Sequence, residues 1–292
     1  MSTADLAKQA GMSEAQWKEA IKFDSTDRGW IIMSIGMAIG AGIVFLPVQV
    51  GLVGVWVFLL SALIAYPSIY LLQRLFINTL ADSPDCNDYP SIIGGYLGKN
   101  WGFFLGILYF MMSLICVFMY STALTNDSAS FLQSFGVTKG LLSDNPLYGL
   151  AVICFMVVVA SRGEQLLFKV STLMVLTKLC VVACLGLLMV QSWDLANLGA
   201  FPDWSYILKQ TIIMLPYTLT SIIFIPCLSP MVISYRSHHT SIHVARYKAM
   251  RAMKIAFFVL FITVFSYAMS FNLAMGHEQA VEAYTNNISA LA

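Results

Sequence analysis

Seven apolar runs alternate with short polar stretches along the chain, at about 29–54, 53–76, 101–131, 147–161, 166–191, 207–235 and 255–275. Most reach or exceed the ~20 residues a helix needs to cross ~30 Å of hydrocarbon. Without water to satisfy backbone groups, such runs must be helical. Two of them are poor continuous helices. The first, GWIIMSIGMAIGAGIVFLPVQVGLVG from Gly29 to Gly54, carries Gly36, Gly40 and Gly42 at its centre and Pro47 beyond. Each interior Gly costs roughly 0.8–1.0 kcal/mol against Ala, and Pro removes a backbone donor. The sixth holds Pro216, Pro226 and Pro230, which predicts an interruption between Thr220 and Pro230. Tyr66-Pro67 predicts a kink in the second.

The composition agrees with a membrane protein of many spans. Of 292 residues, 59% are hydrophobic and 11% charged, against roughly 45–50% and 25% in soluble domains. A net charge of +1 gives no general attraction to nucleic acid. Residues 1–28 read as a polar N-terminal segment, with Ser13 and Gln16 spaced as a capping box and Asp24, Asp27 and Arg28 at the membrane boundary. No signal-peptide pattern is visible, so the first span is expected to be retained. With the N-terminus in the cytoplasm, every Lys and Arg except Lys139, Lys178 and Lys209 falls on the inner side, as the positive-inside rule requires. The tail, 276–292, then lies outside. The six cysteines form no CxxC pair and read as buried small hydrophobes.

Interrupted spans in corresponding positions of two halves mark the binding sites of inverted-repeat transporters. If five spans make a repeat, the first and sixth correspond. The N–H groups of Gly40, Ala41 and Gly42 would then suit an anion such as a carboxylate, whereas Gly36 and Gly40 at GxxxG spacing equally suit close helix packing. Ser221, Thr220 and Ser229 offer hydroxyls near the second break, beside Phe224, although such hydroxyls also bond back to helix carbonyls. Lys178 lies about 18 Å from either end of its run at ~1.5 Å per residue. An amine at that depth is expected to face the bundle interior and to exchange a proton or replace a coupling cation. Tyr120 and, nearer the helix end, Asn126 and Asp127 are candidates for a cavity lining. His238, His239 and His243 fall in a basic stretch, 236–254, read as a solvated inner loop. His277-Glu278 lacks the second His of HExxH, and neither G-x-S-x-G nor a Walker A sequence occurs, so no enzyme or metal site is indicated. Asn287-Ile288-Ser289 fits a glycosylation acceptor by pattern alone.

The stretches Gly40-Ala41-Gly42-Ile43-Val44-Phe45-Leu46-Pro47, Ala65-Tyr66-Pro67, Thr125-Asn126, Lys169-Val170, Ser229-Pro230 and Asn287-Ile288-Ser289 resemble the hydroxy and aromatic amino-acid permeases of the amino acid–polyamine–organocation superfamily, most of all their serine/threonine branch. The resemblance implies an all-α LeuT-like fold of two inverted five-helix repeats, here 29–191 and an incomplete second at 207–292. It implies proton-coupled uptake of a small neutral amino acid in the bacterial inner membrane, with no cofactor and with sodium as the alternative coupling ion. By the same resemblance Gly40–Gly42 hold the substrate carboxylate, carbonyls flanking both breaks hold its ammonium group, Tyr120 faces the site and Lys178 couples transport to protons; Gly36, Ser221 and Phe224 are further candidate substrate-binding residues. The sixth-span break departs from the family in reading Ile225-Pro226-Cys227-Leu228. The family has about eleven spans and this chain seven, so either the sequence is partial or the protein as given does not complete the fold. The alternatives are an aromatic amino-acid permease and a truncated, non-transporting membrane sensor or partner protein. The sequence leaves the oligomeric state open.

Overall fold

A computed structural model describes residues 3–39, 41–84 and 86–285, and all regular structure among them is helical. The chain opens with two short helices, α1 (Thr3–Gln9) and α2 (Glu14–Ala20). The expected capping box forms: Gln16 N–H donates to Ser13 Oγ at 3.3 Å and Ser13 N–H to Gln16 Oε1 at 3.0 Å. Helices α3 (Ser25–Ala38), α4 (Ala41–Val53) and α5 (Val55–Asp82) follow. Next come α6 (Tyr89–Leu97), α7 (Lys99–Ser134), α8 (Pro146–Ser161) and α9 (Glu164–Met189). The chain ends with α10 (Trp204–Thr220), α11 (Ile225–His238) and α12 (Ile242–Thr285).

Contacts divide these helices into two compact units, residues 1–82 with 170–292, and residues 83–169. The division cuts across the two sequence halves because α3, α4 and α5 pack on α10, α11 and α12. In the larger unit α5 and α12 run antiparallel, as a ladder of rings shows: Tyr70 against Phe257 at 5.3 Å, Tyr66 against Phe261 at 5.4 Å and Phe58 against Phe265 at 5.6 Å. The inward face of α12 is built from small residues at helical spacing, Ala245, Ala249, Ala252, Ala256 and Ala268, all buried. Lipid is as apolar as a side chain, so membrane helices associate through close packing of this kind. In the smaller unit α6 crosses α7 closely, since a Cβ on Gly102 would stand 2.8 Å from the Gly94 Cα. There Tyr148 Oη donates to Ser128 Oγ at 2.9 Å between α8 and α7.

Five stretches among the described residues are long and apolar enough to span a membrane: Val55–Asp82, Lys99–Gln133, Phe168–Ser192, Trp204–His238 and Ile242–Glu282. The first apolar run is split between α3 and α4, and α8 is shorter. Two local expectations change. Pro67 lies inside α5. Pro216 and Pro230 are likewise held within α10 and α11, and the interruption is confined to residues 221–224. Pro226 falls in the first turn of α11, where its missing N–H would have had no helical partner. The supposed loop 236–254 is almost entirely helix, because α12 begins at Ile242. The last helix runs past the predicted end at Met275 to Thr285, with a kink where Gly276 takes φ 68°, ψ −178°.

Candidate functional site

The first interruption follows Ala38. Ile39 closes α3 with ψ 81°, its N–H still bonded to the Ile35 carbonyl, and α4 starts at Ala41. Gly40 lies outside the described residues. Ala41 and Gly42 form the first turn of α4, where N–H groups have no carbonyl partner one turn back. That is the arrangement an anion needs. Gly36, one turn before the break, is a packing residue: a Cβ there would meet Val175 Cγ2 of α9 at 2.5 Å.

The second interruption runs from Ser221, which caps α10, to Phe224, which precedes α11 with φ −137°, ψ 30°. Both side chains are fully buried. Ser221 Oγ donates to the Thr218 carbonyl at 2.7 Å, the back-bonding that competes with a ligand role. Thr218 also shares a 2.8 Å hydrogen bond with Ser61 of α5. Across the core, Ser34 Oγ of α3 donates to Cys227 Sγ of α11 at 3.6 Å, so the two broken helices touch beside their interruptions. Far along α12, the buried Asn272 donates through Nδ2 to the Pro47 carbonyl at 3.1 Å, anchoring α4 where Pro disrupts its ladder.

Of the remaining candidates, Tyr120 belongs to the smaller unit and is 67% exposed. Asn126 is exposed, and the side chain of Asp127 and the stretch Asn287–Ser289 lie outside the description. Lys178 was expected to face the interior and instead is exposed. Five of the cysteines are not buried, against expectation; Cys227 is. Among the described residues no three His, Cys, Asp or Glu side chains gather as a metal site requires.

The densest polar cluster was not foreseen. Asp24 and Asp27 cap α3 reciprocally, through N–H to carboxylate bonds of 3.0 and 2.9 Å. Asp27 is fully buried and accepts from Tyr235 Oη of α11 at 2.7 Å and from Arg251 Nη2 of α12 at 2.8 Å. Lys248, also buried, donates to Asp24 Oδ2 at 2.5 Å and lies 3.5 Å from Asp27 Oδ2. Arg246 pairs with Asp82 and Arg236 with the Ala81 carbonyl, tying the end of α5 to the same region. Two carboxylates thus meet two cations, a charge balance that burial demands. Burial alone would raise the Asp24 carboxyl, but hydrogen bonds from Lys248 and from backbone N–H groups outweigh it and hold the group below its ordinary range. His239, just past α11, is held below its ordinary value by burial and by the Lys248 charge. The sequence did carry a signal: Val244, Tyr247, Lys248 and Arg251 share one helical face.

The relatives add descent to this geometry. Over 286 residues the chain is 69% identical to the "Probable serine transporter" of Escherichia coli (strain K12), an alignment covering 98% of this chain and 65% of that protein. Nearly the whole of the chain is thus similar to a protein named as a serine transporter. More distant relatives include "Serine transporter SdaC" of Escherichia coli (strain K12), 24% identical with 96% of this chain and 64% of that protein covered. "Threonine/serine transporter TdcC" of Yersinia enterocolitica is 23% identical, with 91% and 62% covered. The chain therefore spans just under two thirds of the length of these relatives. No family model matches it, and no solved structure matches it.

Proposed function

We propose that the chain is the substrate-site portion of a secondary active carrier that imports serine or threonine across the bacterial inner membrane. The observation that carries the reading is the pair of interrupted helices, α3/α4 and α10/α11, in contact through Ser34 and Cys227. Interrupted helices leave unpaired backbone groups at mid-membrane, and such groups suit a zwitterion: amide N–H for its carboxylate, carbonyls for its ammonium. In this reading the fold is the LeuT-like pair of inverted repeats, the N-terminus is cytoplasmic, and Ala41 and Gly42 with Gly40 take the carboxylate. A relative named as a serine transporter at 69% identity supports the substrate class. Lys178 is the proposed proton-coupling amine, and nothing beyond the proton gradient is required as a cofactor.

The test is uptake of labelled L-serine in cells lacking their own serine carriers, with and without a pH gradient. The reading predicts uptake that collapses with the gradient, is competed by threonine and is not competed by tryptophan. Uptake equal to that of cells without the protein would overturn it. Lys178→Ala is expected to leave serine binding while removing the pH dependence; unchanged gradient-driven uptake would end its role.

A further inference from the structure

Along the apolar span of α5, polar side chains are buried without being satisfied. The helices α10 and α11 run alongside α5 in the same direction, in a register fixed by three hydrogen bonds. Tyr206 Oη donates to the Val53 carbonyl, Thr218 bonds Ser61, and Arg236 donates to the Ala81 carbonyl. Between the last two levels lies Gln73, fully buried. Neither its Oε1 nor its Nε2 has a hydrogen-bond partner among the described residues. Tyr66, 3% exposed, approaches Ser221 at the start of the second interruption, but its hydroxyl closes no hydrogen bond with any described residue. Thr211 Oγ1 of α10 is likewise buried and unpaired. It stands seven residues before Thr218 and so shares the face that meets α5.

An amide has two donors and a carbonyl acceptor, and leaving them bare inside a membrane span is costly. Such orphaned groups call for water, which settles where several polar groups converge. Tyr66 and Gln73 lie seven residues apart on one line of α5, about 10.5 Å at ~1.5 Å per residue. That is room along the helix for about three waters at ~2.8 Å spacing. At the interruption, Ser221 Oγ donates to the Thr218 carbonyl and keeps its lone pairs, so it can accept from the last water.

We propose that Tyr66 and Gln73 hold a file of bound water ending at Ser221, and that this water meets the side-chain hydroxyl of the substrate. The inference rests on the reading that the two interruptions receive a hydroxy amino acid, and it supplies that reading with a source of selectivity. A serine hydroxyl joins the file, whereas the methyl of alanine leaves the last water short of a partner. Tyr66 and Gln73 are positioning residues, the first placing the end water and the second anchoring the file away from the substrate.

The experiment uses the full chain in lipid nanodiscs and reads water and selectivity separately. Pulsed X-ray radiolysis makes hydroxyl radicals from water in place, so a buried ring is oxidised only where bound water lies beside it. Mass spectrometry is expected to find Tyr66 oxidised and Phe58, fully buried against Phe265, untouched. Gln73→Met should lower Tyr66 oxidation roughly 2- to 12-fold, the change that one hydrogen bond makes. Gln73→Asn, which keeps an amide, should lower it less. The preference for L-serine over L-alanine, as a ratio of Kd values from thermal shifts, should fall by a similar factor in Gln73→Met and Tyr66→Phe, with L-alanine unchanged. An unoxidised Tyr66, or a Tm that rises in Gln73→Met, would mean a dry amide and overturn the file. An unchanged preference in both variants would overturn its part in selection. Tyr66 oxidation that depends on Gln73 in a chain that binds no L-serine would sustain the water file and sink the substrate reading instead.

Discussion

The two ends of the larger unit are closed by different physics. Along α12, Lys248 and Gly276 stand about 42 Å apart at ~1.5 Å per residue. At the Lys248 end, the buried Asp27, Lys248 and Tyr235 meet the partly buried Arg251 and the exposed Asp24. At the Gly276 end the contacts are side chain to backbone: His277 Nδ1 donates to the Gly51 carbonyl at 2.8 Å, Asn197 Nδ2 to the Leu273 carbonyl at 2.8 Å and Tyr206 Oη to the Val53 carbonyl at 3.3 Å. These border a cavity of about 500 Å³ that also touches Trp56, Asp203 and Asn272. A buried ionic cluster is costly to break once and specific in register. A set of neutral bonds beside a cavity yields piece by piece, and water can replace each. The comparison casts the charged end as an all-or-none closure and the kink end as a graded one.

The largest effect should come from Lys248→Ala, which leaves the buried Asp27 with one guanidinium and removes the partner of the exposed Asp24. Breaking such a cluster costs about 3–5 kcal/mol, read as a fall in Tm of the purified protein. A Tm unchanged within a degree would place Lys248 in water and dissolve the contrast. At the other end, Gly51→Val drives a side chain into Ala280, where even a Cβ has no room. Overpacking of this kind costs about 1–3 kcal/mol, and proteolysis should show it loosening 277–285 before the core. Tyr235→Phe removes one hydrogen bond to a carboxylate that keeps Arg251, so the loss should be about 1.5–3 kcal/mol or less; a loss equal to that of Lys248→Ala would mean that the hydroxyl, not the charge balance, holds the cluster.

The smallest effect is that of pH. His239 has a lowered pKa in the folded protein, so its contribution is present above its ordinary value of 6.5 and is lost as pH falls through the lowered one. Asp24, also lowered, contributes above its ordinary 3.8 and loses that contribution only as pH falls further. A plot of Tm against pH should show a shallow step below 6.5, absent in His239→Gln, and a second in stronger acid, absent in Asp24→Asn.

Both interruptions were legible because their causes are local. Glycines at 36, 40 and 42 weaken a helix wherever they stand, and Pro226 can start a helix more readily than continue one. The capping box at Ser13 and the ends of most spans were readable for the same reason. The charged cluster was not, because its bonds join residues more than two hundred positions apart, as Tyr235 to Asp27. Charge density made 236–254 read as a loop, although its spacing already marked a helical face. The direction Lys178 faces was not legible either: depth along a span follows from counting residues, but the direction a side chain points depends on which neighbours cover that helix.

The central claim, that the two interrupted helices hold a hydroxy amino acid, is tested most directly by the thermal unfolding of the purified protein with and without L-serine. Binding to the native state alone raises stability by about 2.7 kcal/mol at a hundred times Kd. The account predicts a saturable rise in Tm with L-serine and L-threonine, absent with L-tryptophan and abolished by Gly42→Val at the first turn of α4. A Tm that does not move with L-serine, or that moves equally in the Gly42→Val protein, would contradict it.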